Sequence, residues 1–209
     1  MRLILARHGQ TDANVGRVLS SRPPGGPLTE LGRQQADALA ARLAGIDVTA
    51  VYASTAVRAQ ETAAPVAAVN GLAVTVVDGV HEVDVGDFED RADEQARGDF
   101  HEIDLAWSAG DLAARMPGGE SATEVLARFR PVVDKITDGA SGSVVVVSHG
   151  GAIRIVACAL AGRHGHVGYL PNTGIVVLRA TGTGWELESV DEFTSVPPPG
   201  DVTGGGPAG

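Results

Sequence analysis

Near its amino terminus the chain reads Leu3-Ile4-Leu5-Ala6-Arg7-His8-Gly9-Gln10-Thr11. The four apolar residues form a run of the right length for a short buried strand. This run leads directly into an arginine, a histidine and a glycine, so the strand would carry polar groups at its end. The stretch therefore predicts a buried strand that stops at a charged site.

A second stretch repeats this pattern, with Ser143-Val144-Val145-Val146-Val147 followed by Ser148-His149-Gly150-Gly151. A run of β-branched residues without alternation is typical of a strand covered on both faces, so both strands are predicted as central members of a parallel sheet. In open α/β sheets the ligand site lies beyond the carboxyl ends of the strands. We therefore expect His8 and His149 to share one crevice.

These two motifs, Arg7-His8-Gly9-Gln10-Thr11-Asp12-Ala13-Asn14 and Ser148-His149-Gly150-Gly151, resemble those of the histidine phosphatase superfamily, in its phosphoglycerate mutase-like branch. The resemblance covers roughly residues 1 to 180. It implies an α/β fold, a three-layer α/β/α sandwich with a mostly parallel central sheet. It also implies that the first histidine is phosphorylated during turnover.

Further matches to the family follow in order along the chain: Leu28 to Ala36 (LTELGRQQA), Ser54 with Arg58-Ala59 and Thr62-Ala63, Glu82 with Gly86 and Phe88-Glu89, and Gly118-Gly119-Glu120-Ser121. The loop of residues 17–27 departs from the family pattern, and Asp90 stands where the family has a glycine. Gly118 to Ser121 is explained by turn and cap chemistry, because Ser121 and Glu124 fit a capping box.

The resemblance implies a role for each candidate site residue. His8 is the nucleophile, and Glu82 protonates the leaving group as general acid and base. The remaining residues bind the phosphate: Arg7, Asn14, Arg58, His149 and Gly150. A lone helical arginine is usually a solvated surface residue, but Arg58 would lie in the first turn of a helix, where the dipole already favours an anion.

The sequence also makes local predictions. Thr29 is a plausible N-cap of a helix that ends near Gly45, with an inward stripe of Leu31, Ala38, Leu39 and Leu43. A further helix is expected to start, with a cap, around Ser54. Pro131 predicts a kink in the helix that follows Ser121. Gly174 to Arg179 and Trp185 to Val190 are predicted to form a closing hairpin.

We expect one catalytic domain, residues 1–196, and a Pro/Gly-rich tail, residues 197–209. A cap of about residues 83–116 would cover the crevice, and within it only Glu102 to Trp107 suggests a helix. The segment 81–111 holds 11 of the 26 acidic residues and 2 of the 16 basic ones. The role of this acidic segment does not follow from the sequence.

The formal charge of −10 argues against nucleic acid or an anionic membrane surface as partner. One cysteine, Cys158, excludes an internal disulfide. The sequence has no secretory signal and no apolar run near ~18 residues, so a cytoplasmic location is the default. We expect a small phosphorylated substrate and no cofactor.

Several alternatives stay open. A metallohydrolase using His8, His149, Glu82 and Asp12 would need three ligands on one ion beside two repelling arginines. A mutase is disfavoured because the 37 residues between Glu82 and Glu120 are acidic, so a phosphatase is predicted. A non-catalytic phosphate- or protein-binding module is the third alternative. His164 and His166 are predicted to belong to a loop rather than to a metal site. The edge of the hairpin could pair with a second copy of the chain, so the sequence leaves open whether the protein forms a homodimer.

Overall fold

The computed structural model describes residues 1–162 and 167–191. The predicted tail and the pair His164 and His166 lie outside these ranges. Within them the chain forms six strands: β1 Arg2–Arg7, β2 Val48–Ala53, β3 Val74–Val76, β4 Ser143–Ser148, β5 Ile175–Thr181 and β6 Gly184–Val190. It also forms six α-helices: α1 Asp12–Val15, α2 Glu30–Leu43, α3 Val57–Val69, α4 Glu94–Ser108, α5 Ala122–Thr137 and α6 Gly150–Leu160.

The six strands form one mixed sheet in the order β3-β2-β4-β1-β5-β6. The four strands from β3 to β1 run parallel, and β5 and β6 are an antiparallel hairpin at one edge. The mostly parallel sheet, the central position of β1 and β4, and the closing hairpin are confirmed. In the β1–β4 register Arg7 pairs with Ser148, so both strands end at the same level.

Helices cover both faces of the sheet, which confirms the three-layer sandwich. Along β4, Val144 and Val146 pack into the core beneath α4, α5 and α6, whereas Val145 and Val147 pack into the core beneath α2 and α3. All six residues of β4 are buried. This double burial explains the unbroken valine run, since neither face of the strand meets water.

Helix α2 starts with Thr29 at the N-cap, where the Thr29 hydroxyl accepts from the Gly32 amide at 2.9 Å, as predicted. The predicted inward stripe is partly wrong, because Leu31 and Ala38 are exposed. The buried positions of this helix are Gly32, Ala36, Leu39, Ala40 and Leu43. Gly32 must face inward, because it packs against the backbone of Gln10 so closely that a Cβ would lie 2.1 Å from the Gln10 carbonyl oxygen.

Helix α4 differs from expectation, whereas the helix after Ser121 contains Pro131 as predicted. Helix α4 is 15 residues long and begins eight residues before the predicted Glu102, with Asp93 as a side-chain N-cap. Helix α5 runs through Pro131, and its inner face continues to Val133 and Ile136. The capping box of Ser121 and Glu124 is confirmed.

Among the described residues, no helix has both the length and the apolar composition needed to cross a bilayer.

Candidate active site

The two histidines lie at the carboxyl ends of β1 and β4 and face each other. Their ring centroids are 5.2 Å apart at an interplanar angle of 61°, and both side chains are buried. The His8 amide donates to the Ser148 carbonyl at 3.0 Å, which continues the strand pairing one residue beyond β1. The expectation that these residues share one crevice is confirmed.

The hydrogen bonds of His8 define its tautomer. Its Nδ1 lies 2.7 Å from the Gly9 carbonyl oxygen, which can only accept, so Nδ1 carries the proton. Its Nε2 accepts from Arg58 Nε at 3.2 Å and therefore keeps a lone pair. Burial, followed by the charges of Arg7 and Arg58, holds the pKa of His8 well below its usual value. The ring is therefore neutral at pH 7.

The Gly9 carbonyl is fixed by close packing of the backbone around it. The Gly9 amide donates to the Thr62 hydroxyl at 2.9 Å. A Cβ on Gly9 would lie 2.5 Å from the carbonyl oxygen of Gly32. This contact explains the glycine after the first histidine, and the contact of Gly32 with the Gln10 carbonyl explains the glycine in the first turn of α2.

Arg58 connects the two histidines. It lies in the first turn of α3, is 3% exposed, and places Nη2 3.1 Å from His149 Nδ1 and 3.3 Å from the Ser20 carbonyl oxygen. Burial lowers the pKa of Arg58, while the charges of Glu82 and Glu89 oppose that shift. The structure thus places this arginine in the crevice and not on the surface.

The hydrogen bond between His149 and Ser54 was not predicted. Because Arg58 can only donate to His149 Nδ1, the ring proton lies on Nε2 and is donated to the Ser54 hydroxyl at 2.7 Å. The predicted capped helix start at Ser54 is wrong: α3 begins at Val57, and its N-cap residue Ala56 makes no side-chain cap. The Ser54 hydroxyl is engaged by His149, although it also accepts from the Ala56 amide at 3.3 Å.

Arg7 reaches from the end of β1 to the segment after α6. Its Nη1 donates to the Tyr169 hydroxyl at 2.9 Å and to the Leu170 carbonyl at 2.6 Å, and its guanidinium carbon lies 5.3 Å from the centre of the Tyr169 ring. Its Nε is buried and has no hydrogen-bond partner in the part of the chain that the structure describes. Tyr169 carried no recognisable motif, so the sequence did not identify it.

Asn14 and Gly150 line the same cleft as Arg7. The Asn14 Oδ1 accepts from the Thr11 amide and from Asn172 Nδ2, each at 3.1 Å. Its Nδ2 is therefore the polar atom left to face a ligand. Gly150 begins α6 beside Arg7, and a Cβ there would lie 3.3 Å from Arg7 Nε.

Glu82 lies against the amino terminus of α6. Its Oε1 accepts from the Val83 and Ala152 amides, each at 2.9 Å, and its Oε2 accepts from the Gly151 amide at 3.2 Å. These bonds supply the helix with a cap that its N-cap residue does not provide. The carboxylate lines the cleft together with Arg7 and His8.

The outer wall of the cleft comes from the divergent loop and from the cap. Val18, Leu19 and Phe100 line it, and Phe100 belongs to the segment that the sequence analysis assigned to the cap. The loop is tied to the cap base because the Ser21 amide and hydroxyl donate to the Glu89 carboxylate and the Leu19 amide donates to the Arg91 carbonyl. In the adjoining part of the cleft, Arg17, Arg154 and Tyr169 join the lining.

Among residues 1–162 and 167–191, no cluster of three or more His, Cys, Asp or Glu side chains is arranged to hold a metal ion.

A sequence model of the histidine phosphatase superfamily (branch 1) matches residues 3–192. The chain belongs to the histidine phosphatase superfamily. Relatives within this superfamily include glucosyl-3-phosphoglycerate phosphatase of Mycobacterium tuberculosis (strain H37Rv), 35% identical over 168 residues that cover 76% of this chain and 74% of the relative. A probable phosphoglycerate mutase, GpmB of Yersinia pestis, is 30% identical over 167 residues, with 79% and 77% covered.

Solved structures of histidine phosphatase relatives share the fold. The mycobacterial glucosyl-3-phosphoglycerate phosphatase in complex with VO3 superposes with a TM-score of 0.78 at 32% identity, over 90% of this chain and 96% of that one. The putative α-ribazole-5′-phosphate phosphatase of Escherichia coli gives a TM-score of 0.74 at 26% identity, over 92% and 96%.

Proposed function

We propose that the protein is a phosphatase that hydrolyses a small phosphomonoester through a phosphohistidine on His8. The observation that carries this proposal is the hydrogen bond from His8 Nδ1 to the Gly9 carbonyl. It leaves the lone pair of a neutral imidazole on Nε2, at the centre of the crevice, and a neutral imidazole is the nucleophilic form.

The phosphoryl group would bind among the donors around His8. The Arg58 Nε and Nη2 groups lie between the two rings, and the buried Nε of Arg7 needs an acceptor that an anion would supply. Guanidinium groups bind phosphate oxygens in pairs, a geometry that lysine cannot reproduce. Asn14 and the helix terminus at Gly150 complete this set of donors. His149 accepts from Arg58 at Nδ1 and donates to Ser54 from Nε2, so it orients Arg58.

Two displacements at phosphorus complete the reaction. In the first, His8 Nε2 attacks phosphorus, the bond from phosphorus to the ester oxygen breaks, and Glu82 gives its proton to the departing alkoxide. In the second, Glu82 takes a proton from water, the water oxygen attacks phosphorus, and the P–N bond breaks to release inorganic phosphate. Since Oε1 of Glu82 already accepts two amides and Oε2 only one, the transferred proton is expected on Oε2.

Hydrolysis is proposed in preference to mutase activity because the cap is acidic. Helix α4 contributes only the apolar side chain of Phe100 to the cleft. Asp104, on the same helix, instead pairs with Arg154 at 3.0 Å. A segment with this charge would repel a second phosphate. The phosphatases among the relatives are consistent with this choice.

We propose a phosphorylated glycerate derivative as the first substrate to test, because the mycobacterial relative is named for such a substrate and because Arg17 and Arg154 line the cleft. Purified protein is incubated with 3-phosphoglycerate, and inorganic phosphate and 2-phosphoglycerate are measured. Release of phosphate without 2-phosphoglycerate is expected. Interconversion of the two phosphoglycerates at a comparable rate would identify a mutase instead.

A further inference from the structure

A half-buried arginine on α5 is joined to the segment that carries Glu82. Arg128 donates from Nε to Glu120 Oε1 at 2.8 Å and from Nη2 to Glu120 Oε2 at 2.9 Å. The side chains of this ion pair are only 16% and 20% exposed. A paired contact of this kind fixes the plane of the guanidinium group.

The same guanidinium group also donates to three backbone carbonyls. Its Nη1 donates to the Gly79 and His81 carbonyls, each at 2.9 Å, and its Nη2 donates to the Glu82 carbonyl at 2.8 Å. An arginine has five N–H groups, and all five of these are used here. Residues 77–85 belong to no helix or strand, so the sheet ladder does not hold these carbonyls.

Glu120 holds the other side of the same segment. Its Oε2 accepts from the Asp84 amide at 2.9 Å, and its own amide donates to the Asp84 carbonyl at 2.9 Å. The backbone is therefore tied on both sides of Glu82, while the Glu82 carboxylate rests on the terminus of α6. Glu120 belongs to the Gly-Gly-Glu-Ser motif, whose turn and cap chemistry does not require its carboxylate.

We propose that Arg128, held by Glu120, is a positioning residue that sets the depth and direction of Glu82 for proton transfer. This inference rests on the proposed function, in which Glu82 is the general acid. Catalytic groups must be held within roughly 0.5 Å of the productive geometry, and a displacement of about 1 Å can cost roughly 10²-fold in rate. A segment without regular structure needs an external support to meet that tolerance.

The replacement Arg128→Lys separates positioning from charge. Lysine keeps the positive charge beside Glu120 but has three donors in place of five, so it cannot hold the pair and all three carbonyls together. The measured quantity is kcat/KM for two substrate classes: alkyl phosphates, whose leaving group needs a proton, and aryl phosphates with an acidic phenol, whose leaving group does not. Glu82→Gln and the double variant are measured beside it.

We expect Arg128→Lys to lower kcat/KM for alkyl phosphates by roughly 10- to 100-fold, and for aryl phosphates by less than about 3-fold. Glu82→Gln should show the same selectivity, and the double variant should be no slower than Glu82→Gln alone. The control is Arg115→Lys, an exposed arginine that donates to the Gly119 carbonyl and to Glu124 and should leave both substrate classes unchanged.

Equal losses for both substrate classes, or losses that multiply in the double variant, would overturn the inference and leave Arg128 a merely structural residue. If Arg128→Lys does not fold, Glu120→Gln is measured in the same way and must show the same selectivity. Should Glu82→Gln itself show no preference between leaving groups, the proposed role of Glu82 fails. If Glu82→Gln lowers kcat/KM selectively for alkyl phosphates but Arg128→Lys does not, this inference fails and the proposed function is unaffected.

Discussion

The replacement Arg58→Met tests whether the arginine between the two histidines serves catalysis or folding. Arg58 directs Nε at His8 Nε2 and Nη2 at His149 Nδ1, so it presents two donors where the phosphoryl group would carry its charge. Removing one such donor typically costs ~10²–10³ in turnover. We therefore expect a loss of at least ~10²-fold in kcat, measured as phosphate release from an alkyl phosphomonoester.

The stability of the same variant should change little. Methionine removes a buried cation whose pKa is lowered mainly by burial, and it ends the repulsion with Arg7. It also leaves two ring nitrogens without a donor, each at a cost of about 1–3 kcal/mol, which ring tautomerisation can partly recover. We expect these effects to offset within about 1 kcal/mol in the free energy of unfolding, measured in urea.

The matched control is Arg33→Met, which removes an exposed arginine paired with Glu30 on α2. Its activity should be unchanged and its stability should fall by less than about 0.5 kcal/mol. The reasoning is refuted if Arg58→Met keeps more than about a tenth of the wild-type kcat. It is also refuted if the activity is lost only because the variant is unfolded.

The remaining predictions concern the backbone around the nucleophile and the effect of pH. Gly9→Ala forces a Cβ to within 2.5 Å of the Gly32 carbonyl oxygen and should destabilise the protein by roughly 1–3 kcal/mol in urea unfolding. Gly98→Ala, at an open and exposed position inside α4, should instead raise stability by about 0.5–1 kcal/mol, and equal effects at the two glycines would contradict the packing argument. Because the pKa values of His8 and His149 are held well below 6.5 in the folded state, the unfolded state binds more protons below pH 6.5. The free energy of unfolding should therefore fall as the pH drops from 6.5 towards 5, by up to about 1.4 kcal/mol per pH unit for each histidine. A double variant with asparagine at both positions should flatten this dependence, and an unchanged slope in that variant would show that other groups cause it.

The sequence predicted the parts of the fold that depend on periodicity. The valine run of β4 and the apolar run of β1 indicated central strands, and the positions of the two histidines followed from where those strands end. Arg58 was identified only through the resemblance to the family, since a helical arginine is usually at the surface.

The predictions that failed depended on contacts between distant segments. Leu31 was expected on the inner face of α2, but Gly32 packs against the backbone of Gln10 and Leu31 is exposed. Ser54 was taken as the start of a capped helix, because its partner His149 lies 95 positions away in the sequence. No local pattern distinguishes a serine that caps a helix from one that orients a ring.

The full length of α4, the helix of the cap, could not be predicted for a different reason. Helix α4 buries only Ala96 and Trp107, so its sequence carries almost no apolar stripe. Its start depends on the Asp93 carboxylate, which accepts from the Ala96 amide at 3.0 Å. Asp93 stands among many acidic residues, and charge alone did not single it out.

The proposal depends above all on a covalent bond between phosphorus and His8 Nε2. The measurement is rapid quenching of the enzyme with a ³²P-labelled phosphomonoester, followed by a count of the label that stays on the protein. We expect labelled protein that is stable in base, loses its label in acid, and is absent in His8→Ala, while Ser54→Ala retains it. Turnover of wild-type protein without any trapped label, or His8→Ala protein that still hydrolyses the substrate at most of the wild-type rate, would contradict the proposed mechanism.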